Sequence, residues 1–218
     1  MCDNIIVALE NNGFIIDILT YNDPAKVDNK YRWEHVNLLD EESVENFIKI
    51  LPDNYYEKII CVPTYNSGTN NPFITTREYL NNVYGSFIIN YMILIRNLLS
   101  KLSDDGQLIY ISSISANTST DMVDYSAAKA CMQAYVSAIS GRAKQNQAIF
   151  SIAPAMIYDT VAFYHRDEEH SLEPISRLIK KEEIANVILN ADKNYNANVV
   201  IMNYDGISRI KGFKSIIA

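Results

Sequence analysis

Apolar positions along this chain fall into two alternating patterns. Short β-rich runs stand at Phe14–Thr20, Trp33–Asn37, Lys58–Pro63, Gln107–Ser112, Gln147–Ala153 and Asn198–Asn203. They are near-continuous apolar stretches, as expected of strands buried on both faces. Between them, helical periodicity marks Glu41–Leu51, Thr75–Lys101, Tyr125–Gln145 and Lys181–Asp192. Asp40 offers an N-cap oxygen to the first of these helices, and Glu41 and Glu42 put negative charge at its positive end. Alternation of this kind predicts an α/β fold of the doubly wound type. All six runs should join one parallel sheet, with helices on both faces and right-handed crossovers.

Two segments stand outside the pattern. Asn4–Leu9 carries an Ile-Ile-Val run that suits a strand before an Asn11-Asn12-Gly13 hairpin turn. It suits equally the last turns of a helix ended by Gly13. Tyr158–Pro174 is the longest irregular polar stretch and reads as a flap; its charged run from His165 to His170 reads as solvated.

Composition narrows the classes. A chain of 218 residues with 48% hydrophobic and 21% charged positions suits one domain, residues 1–218, with a substantial core. The net charge of −7 and the lack of any Lys/Arg run argue against a nucleic-acid surface. Asn90, Arg96 and Asn97 interrupt the most apolar segment, Phe87–Leu99, so no membrane span of about 20 residues is expected. Cys2, Cys61 and Cys131 are widely separated, which points to buried, reduced thiols in a cytoplasmic protein. No signal peptide is visible. His35, His165 and His170 are scattered, so neither a metal site nor a Ser–His–Asp triad is expected.

The candidate chemistry lies in Tyr125-Ser-Ala-Ala-Lys129, with Ser113 twelve residues upstream. One helical turn puts the phenol and the amine on one face. An ammonium there should draw the phenol's pKa from about 10 towards neutrality. A serine at the end of the preceding strand can hydrogen-bond a carbonyl or alcohol oxygen while the tyrosine moves its proton. Ser112 competes with Ser113 for that place, and Ser113 is preferred as the second of the pair closing the strand.

These residues, in this order, resemble the short-chain dehydrogenase/reductase family over Asn4–Gly206. Gln107-Leu-Ile-Tyr-Ile-Ser-Ser113 looks like the family's fifth strand and its serine, and Tyr125–Lys129 matches YxxxK. Asn82-Val-Tyr-Gly85 looks like NxxG on the long fourth helix, whose Asn supports a proton-relay water. Ala153-Pro154-Ala155 stands where the family has Pro-Gly after its sixth strand. Lys181–Ala185 and Asn203–Gly206 resemble the late helix and the end of the seventh strand.

The resemblance implies an NAD(P)-dependent oxidoreductase acting on a ketone/alcohol pair, a 3-oxoacyl thioester reductase being the commonest role. Tyr125 is then the acid/base, Lys129 lowers its pKa and binds the nicotinamide ribose, Ser113 orients the substrate oxygen and Asn82 completes the relay. Asn22 closes the second strand where the adenosine ribose is read; with no acidic residue there, NADP is favoured over NAD. Asn37 replaces the Asp that contacts adenine, Pro154 follows the sixth strand, and Thr160 stands near the carboxamide-binding Thr. The fourth and fifth helices, Asn82–Lys101 and Tyr125–Lys144, imply a homodimer or tetramer.

Two departures besides Asn37 qualify this reading. Pro63-Thr-Tyr-Asn66 is a degenerate NNAG, and the 218 residues contain no TGxxxGxG loop. The alignment begins inside that motif, which favours helix for Asn4–Leu9. In the family's order 3-2-1-4-5-6-7 the unmatched strand is central. Either its neighbours close up, another segment fills the slot, or the natural product starts upstream of Met1. Weak or absent nucleotide binding is the expectation for the chain as given. The competing class is a nucleotide-free relative serving as a binding or assembly subunit; a cofactor-independent acid–base enzyme is a third.

Overall fold

In the computed structural model of this protein, the apolar runs become strands close to their expected places. The structure describes residues 2–20, 31–38, 40–63, 76–118, 123–158, 178–203 and 206–211. Helix α1 spans Cys2–Asn11, so the ambiguous first segment is helical, and Gly13 follows it at φ +84°, open to glycine without strain. Then come β1 (Asp17–Thr20), β2 (Arg32–His35), α2 (Glu41–Ile50) and β3 (Tyr56–Cys61). Asp40 caps α2 by accepting the Glu42 N–H, as the sequence indicates.

The long amphipathic run divides into α3 (Arg77–Tyr84), a wide π-type turn at Gly85–Ile89, and α4 (Asn90–Leu98), with a last tight turn at Leu99–Lys101. Taken whole, Arg77–Lys101 is long and apolar enough to cross a membrane by length and composition, contrary to the sequence expectation. Its Val83, Phe87, Leu94, Ile95 and Leu98 are instead buried against the rest of the fold. The chain continues through β4 (Leu102–Ile111), α5 (Val123–Ile139), β5 (Ala148–Pro154), α6 (Lys181–Asn190), β6 (Asn198–Asn203) and β7 (Gly206–Lys211).

Five strands form one sheet in the order β3-β4-β5-β6-β7, parallel from β3 to β6. Successive side chains of β4 alternate faces. Ile109 and Ile111 meet Phe150, Ile152, Ile5, Leu9 and Ile188 beneath α1 and α6. Leu108 and Tyr110 join Ile149, Ile95, Met132 and Val136 beneath α4 and α5. Each such buried side chain contributes about 1.5–3 kcal/mol relative to exposure. Covering both faces is why these strands carry unbroken apolar sequence.

The expectation of a single parallel sheet fails at two places. β7 is antiparallel to β6, reached through Gly206 at φ +137°. Its Ile207, Ser208 and Arg209 are exposed, so it lacked the apolar continuity that revealed the others. Strands β1 and β2 form a separate two-stranded parallel sheet, and among the described residues no ladder joins β1 to β3. Side chains bridge them instead. The Tyr56 hydroxyl donates to Asp17 Oδ2 at 2.9 Å, and the Lys58 amine lies 5.8 Å from the Phe14 ring centroid. Helix α2 and α4 close this part of the core around Val36, Val44, Leu51, Leu94 and Leu98.

Gly106 marks a tight approach in β4. A Cβ there would stand 2.8 Å from the Tyr56 carbonyl oxygen and 3.0 Å from the Ser103 nitrogen, both backbone atoms. The register between β3 and β4 is irregular at this point, between Tyr56 and Lys58. Gly106→Ala should therefore cost about 1–3 kcal/mol by forcing backbone apart, read as a lower urea midpoint with an unchanged m-value. A change below about 0.5 kcal/mol would show that the strands yield freely.

Candidate active site

Strand β4 ends at Ile111, and the next residues leave the sheet at its C-terminal edge. Ser112 is still held there: its N–H donates to the Ile152 carbonyl at 2.7 Å. Its hydroxyl turns to α5, accepting from Gln133 Nε2 at 3.0 Å and donating to the Lys129 carbonyl at 3.4 Å. Ser113 points elsewhere. Its Oγ accepts the Ser115 N–H at 3.2 Å, capping a short turn, and it stands near enough to the Tyr125 phenol to lower its proton affinity. Of the two serines, Ser113 is the one that reaches the tyrosine.

Tyr125 stands in the first turn of α5, with Lys129 one turn further along the same face. The phenol ring packs edge-on against Phe87, with centroids 5.4 Å apart. Lys129 is 2% exposed, and its Nζ donates to the Ile111 carbonyl at 3.1 Å. That nitrogen lies 5.0 Å from the Phe87 ring centroid, 5.4 Å from Tyr110 and 5.5 Å from Tyr125. The amine therefore sits in an aromatic box.

Burial sets the proton affinities, and it corrects the sequence expectation. The Lys129 amine is pushed down to about 7 because the interior disfavours its charge. The Tyr125 phenol is pushed up by the same desolvation, with the nearby Ser113 hydroxyl acting the other way. No ammonium draws the phenol towards neutrality in this state. At neutral pH the phenol is a proton donor and much of the amine is neutral.

The other expected positions are less closely gathered. Asn82 is exposed on α3; its carbonyl accepts the Gly85 N–H, and among the described residues no hydrogen bond joins its side chain to Tyr125 or Lys129. Asn37 is exposed and its backbone is committed to the turn before α2, accepting from the Asp40 N–H and donating to Ser43 Oγ. Pro154 is buried at the end of β5, opposite Met202. Asn22, Thr160, His165 and His170 lie outside the described residues, as does most of the degenerate NNAG. Cys61 is buried as expected, whereas Cys131 is exposed; both are free thiols. No metal-binding group of three or more His, Cys, Asp or Glu occurs among the described residues. A cleft of about 460 Å³ lies apart from the tyrosine, lined by Asn4, Tyr158, Leu178, Lys180, Lys181 and Glu182.

Sequence reasoning missed Phe87 and Tyr110, which entered it only as the start of an apolar segment and as part of the strand before Ser113. Tyr110 carried a signal, because a hydroxyl inside a continuous apolar strand needs a reason to be there.

The largely parallel sheet flanked by helices, with a serine past a strand end near a helical tyrosine, is a Rossmann-like α/β fold. Among solved structures the chain is similar to a 3-oxoacyl-[acyl-carrier protein] reductase from Brucella melitensis, with TM-score 0.73 and 16% identity over 92% of this chain and 90% of that one. It is also similar to an apo SCOR enzyme from Clostridium thermocellum, with TM-score 0.70 and 17% identity over 91% and 85%. A third is ElxO with NADP bound, with TM-score 0.72 and 14% identity over 93% and 92%. At these identities the likeness establishes the fold. No family model and no curated protein sequence matches the chain.

The nicotinamide dinucleotide that this fold implies meets a divided site. At the reacting end the residues fit: the Ser113 hydroxyl and Tyr125 phenol converge where an oxygen needs both a hydrogen bond and a proton. At the phosphate end they do not. Among the described residues the first turn of α1 offers no glycine to admit a pyrophosphate. Lys129, the ribose-binding candidate, is turned inward.

Proposed function

We propose that this protein is an oxidoreductase of the short-chain dehydrogenase type, acting on a ketone/alcohol pair. The nearness of the Ser113 hydroxyl to the Tyr125 phenol at the sheet edge, with Lys129 one turn along the same helix, carries the reading. In the reducing direction Ser113 holds the carbonyl oxygen and Tyr125 gives it a proton; its raised pKa keeps that proton in place at neutral pH. In the oxidising direction the same phenol must first lose its proton, so that rate should climb with pH. Asn82 is the relay residue in this reading. The nicotinamide group, when bound, supplies or takes the hydride. Tyr125, Lys129, Asn22, Asn37, Pro154 and Thr160 are its proposed contacts, with NADP favoured over NAD. A 3-oxoacyl thioester is the substrate class to try first. The long α3–α4 run and α5 are the proposed dimer faces.

Titration calorimetry of the 218-residue chain with NADPH should show binding much weaker than micromolar. Reduction of a ketone panel that includes 3-oxoacyl thioesters should therefore need a large excess of NADPH. Absence of nucleotide oxidation across that panel would sink the enzymatic reading.

A second reading is supported by one observation, the Lys129 amine held in its aromatic box away from solvent. In it the chain is a nucleotide-free binding or assembly subunit that retains the fold. A defined partner and no turnover would distinguish it.

A further inference from the structure

We propose that Phe87 is a positioning residue for Lys129, its ring and that of Tyr110 forming the box that holds the amine against the Ile111 carbonyl. Importance for turnover rests on the roles given above to Tyr125 and Lys129. The placement of the amine stands on geometry alone.

Three features of the fold converge on the box. The wide turn Gly85–Ile89 comes first, closed by the Asn90 N–H donating to the Gly85 carbonyl. A π-type turn accommodates one more residue than an α-turn and so changes the helix's phase. Before it and within it, Val83 and Phe87 face α5; after it, Leu94 and Leu98 face β1 and α2. Phe87 is 1% exposed and lies nearest to Nζ of the three rings.

Tyr110 is the second feature. Its hydroxyl is buried with no hydrogen-bond partner among the described residues, so what it gives Lys129 is its ring face. The third is the Ile111 carbonyl, at the last residue of β4, which accepts from the amine. One carbonyl and three ring faces suit an amine whether neutral or charged, because ring quadrupoles attract the cation and tolerate the base.

The titratable groups around the box are Tyr125 and Cys131 on α5, Tyr110 on β4, Cys61 on β3, and Tyr84 and Tyr91 on the facing helix. Asp124, also on α5, acts on Tyr84. The amine's lowered proton affinity comes from burial. Any change that lets water in should therefore raise it.

The test follows the Lys129 Cε resonance by NMR in lysine-labelled protein. In the unsubstituted chain the amine should titrate near 7 and show contacts from Hε to the Phe87 ring. In Phe87→Leu the midpoint should rise by at least about one pH unit as water reaches the amine. Phe87→Tyr, which keeps the ring face, should restore the low midpoint. Val83→Ala removes methyls from the same cluster and should destabilise the fold while leaving the midpoint in place. If Phe87→Leu does not fold, Phe87→Met carries the same expectation. An unmoved midpoint in the Leu or Met variant would overturn the proposal, and so would an equal rise in Val83→Ala. Neither result depends on whether the protein reduces any ketone.

Discussion

Tyr125→Phe should lower nicotinamide-dependent turnover by about 10²–10⁴-fold, the usual contribution of a positioned general acid. The substitution removes one oxygen and keeps the ring, so the edge-on packing with Phe87 at 5.4 Å and the Lys129 contact survive. Nucleotide affinity should hardly change, and the unfolding midpoint should move little, because the ring packing is kept and only a hydroxyl is lost. Ser113→Ala should also slow turnover, but less, since the phenol still carries the proton. Steady-state assays at saturating nucleotide separate the two. Turnover by Tyr125→Phe close to that of the unsubstituted chain would remove the tyrosine from the chemistry.

Lys129→Met should stabilise the protein at neutral pH and flatten its stability–pH profile. The amine's affinity falls from 10.5 in the unfolded chain to about 7 when folded. Between those values the unfolded state binds the extra proton, so stability rises with pH across the window of roughly 7 to 10.5. Below it the full cost of the buried amine is present. At about 1.4 kcal/mol per unit that cost amounts to about 3–5 kcal/mol. Methionine fits the aromatic box without charge, but it leaves the Ile111 carbonyl without its donor, a loss of about 1–3 kcal/mol. The net expectation is a gain of about 1–3 kcal/mol at pH 7, measured by urea unfolding. A pH slope as steep as that of the parent would mean the amine is not buried in solution.

The strands that are covered on both faces were the legible part of the fold. Ile109, Phe150 and Val200 lie in runs where nearly every residue is apolar, and such runs admit few other structures. The exposed strand β7 gave no such signal, and the partition between β1 and β3 depends on pairing, which no local pattern encodes. Among the site residues, spacing alone placed Tyr125 and Lys129 on one face of α5. It could not place the amine, because the box is built from residues far apart in sequence: Phe87, Tyr110 and Ile111. Expecting an ammonium beside the phenol therefore gave the wrong sign for Tyr125. Residue types fixed the chemistry available, and burial fixed the charges.

The division between β1 and β3 bears on how the molecule carries mechanical load. A continuous hydrogen-bonded ladder resists shear as one plate, since every rung must break together. Here the described strands make two plates, coupled at one end by a phenol on a carboxylate and a lysine over a ring. Both contacts run through half-buried side chains, Tyr56, Lys58 and Phe14, and break no backbone bond when they shift. Displacement of the two-stranded plate would pass to the five-stranded one through packed side chains such as Leu19, Tyr56 and Ile59, not through a ladder of backbone bonds.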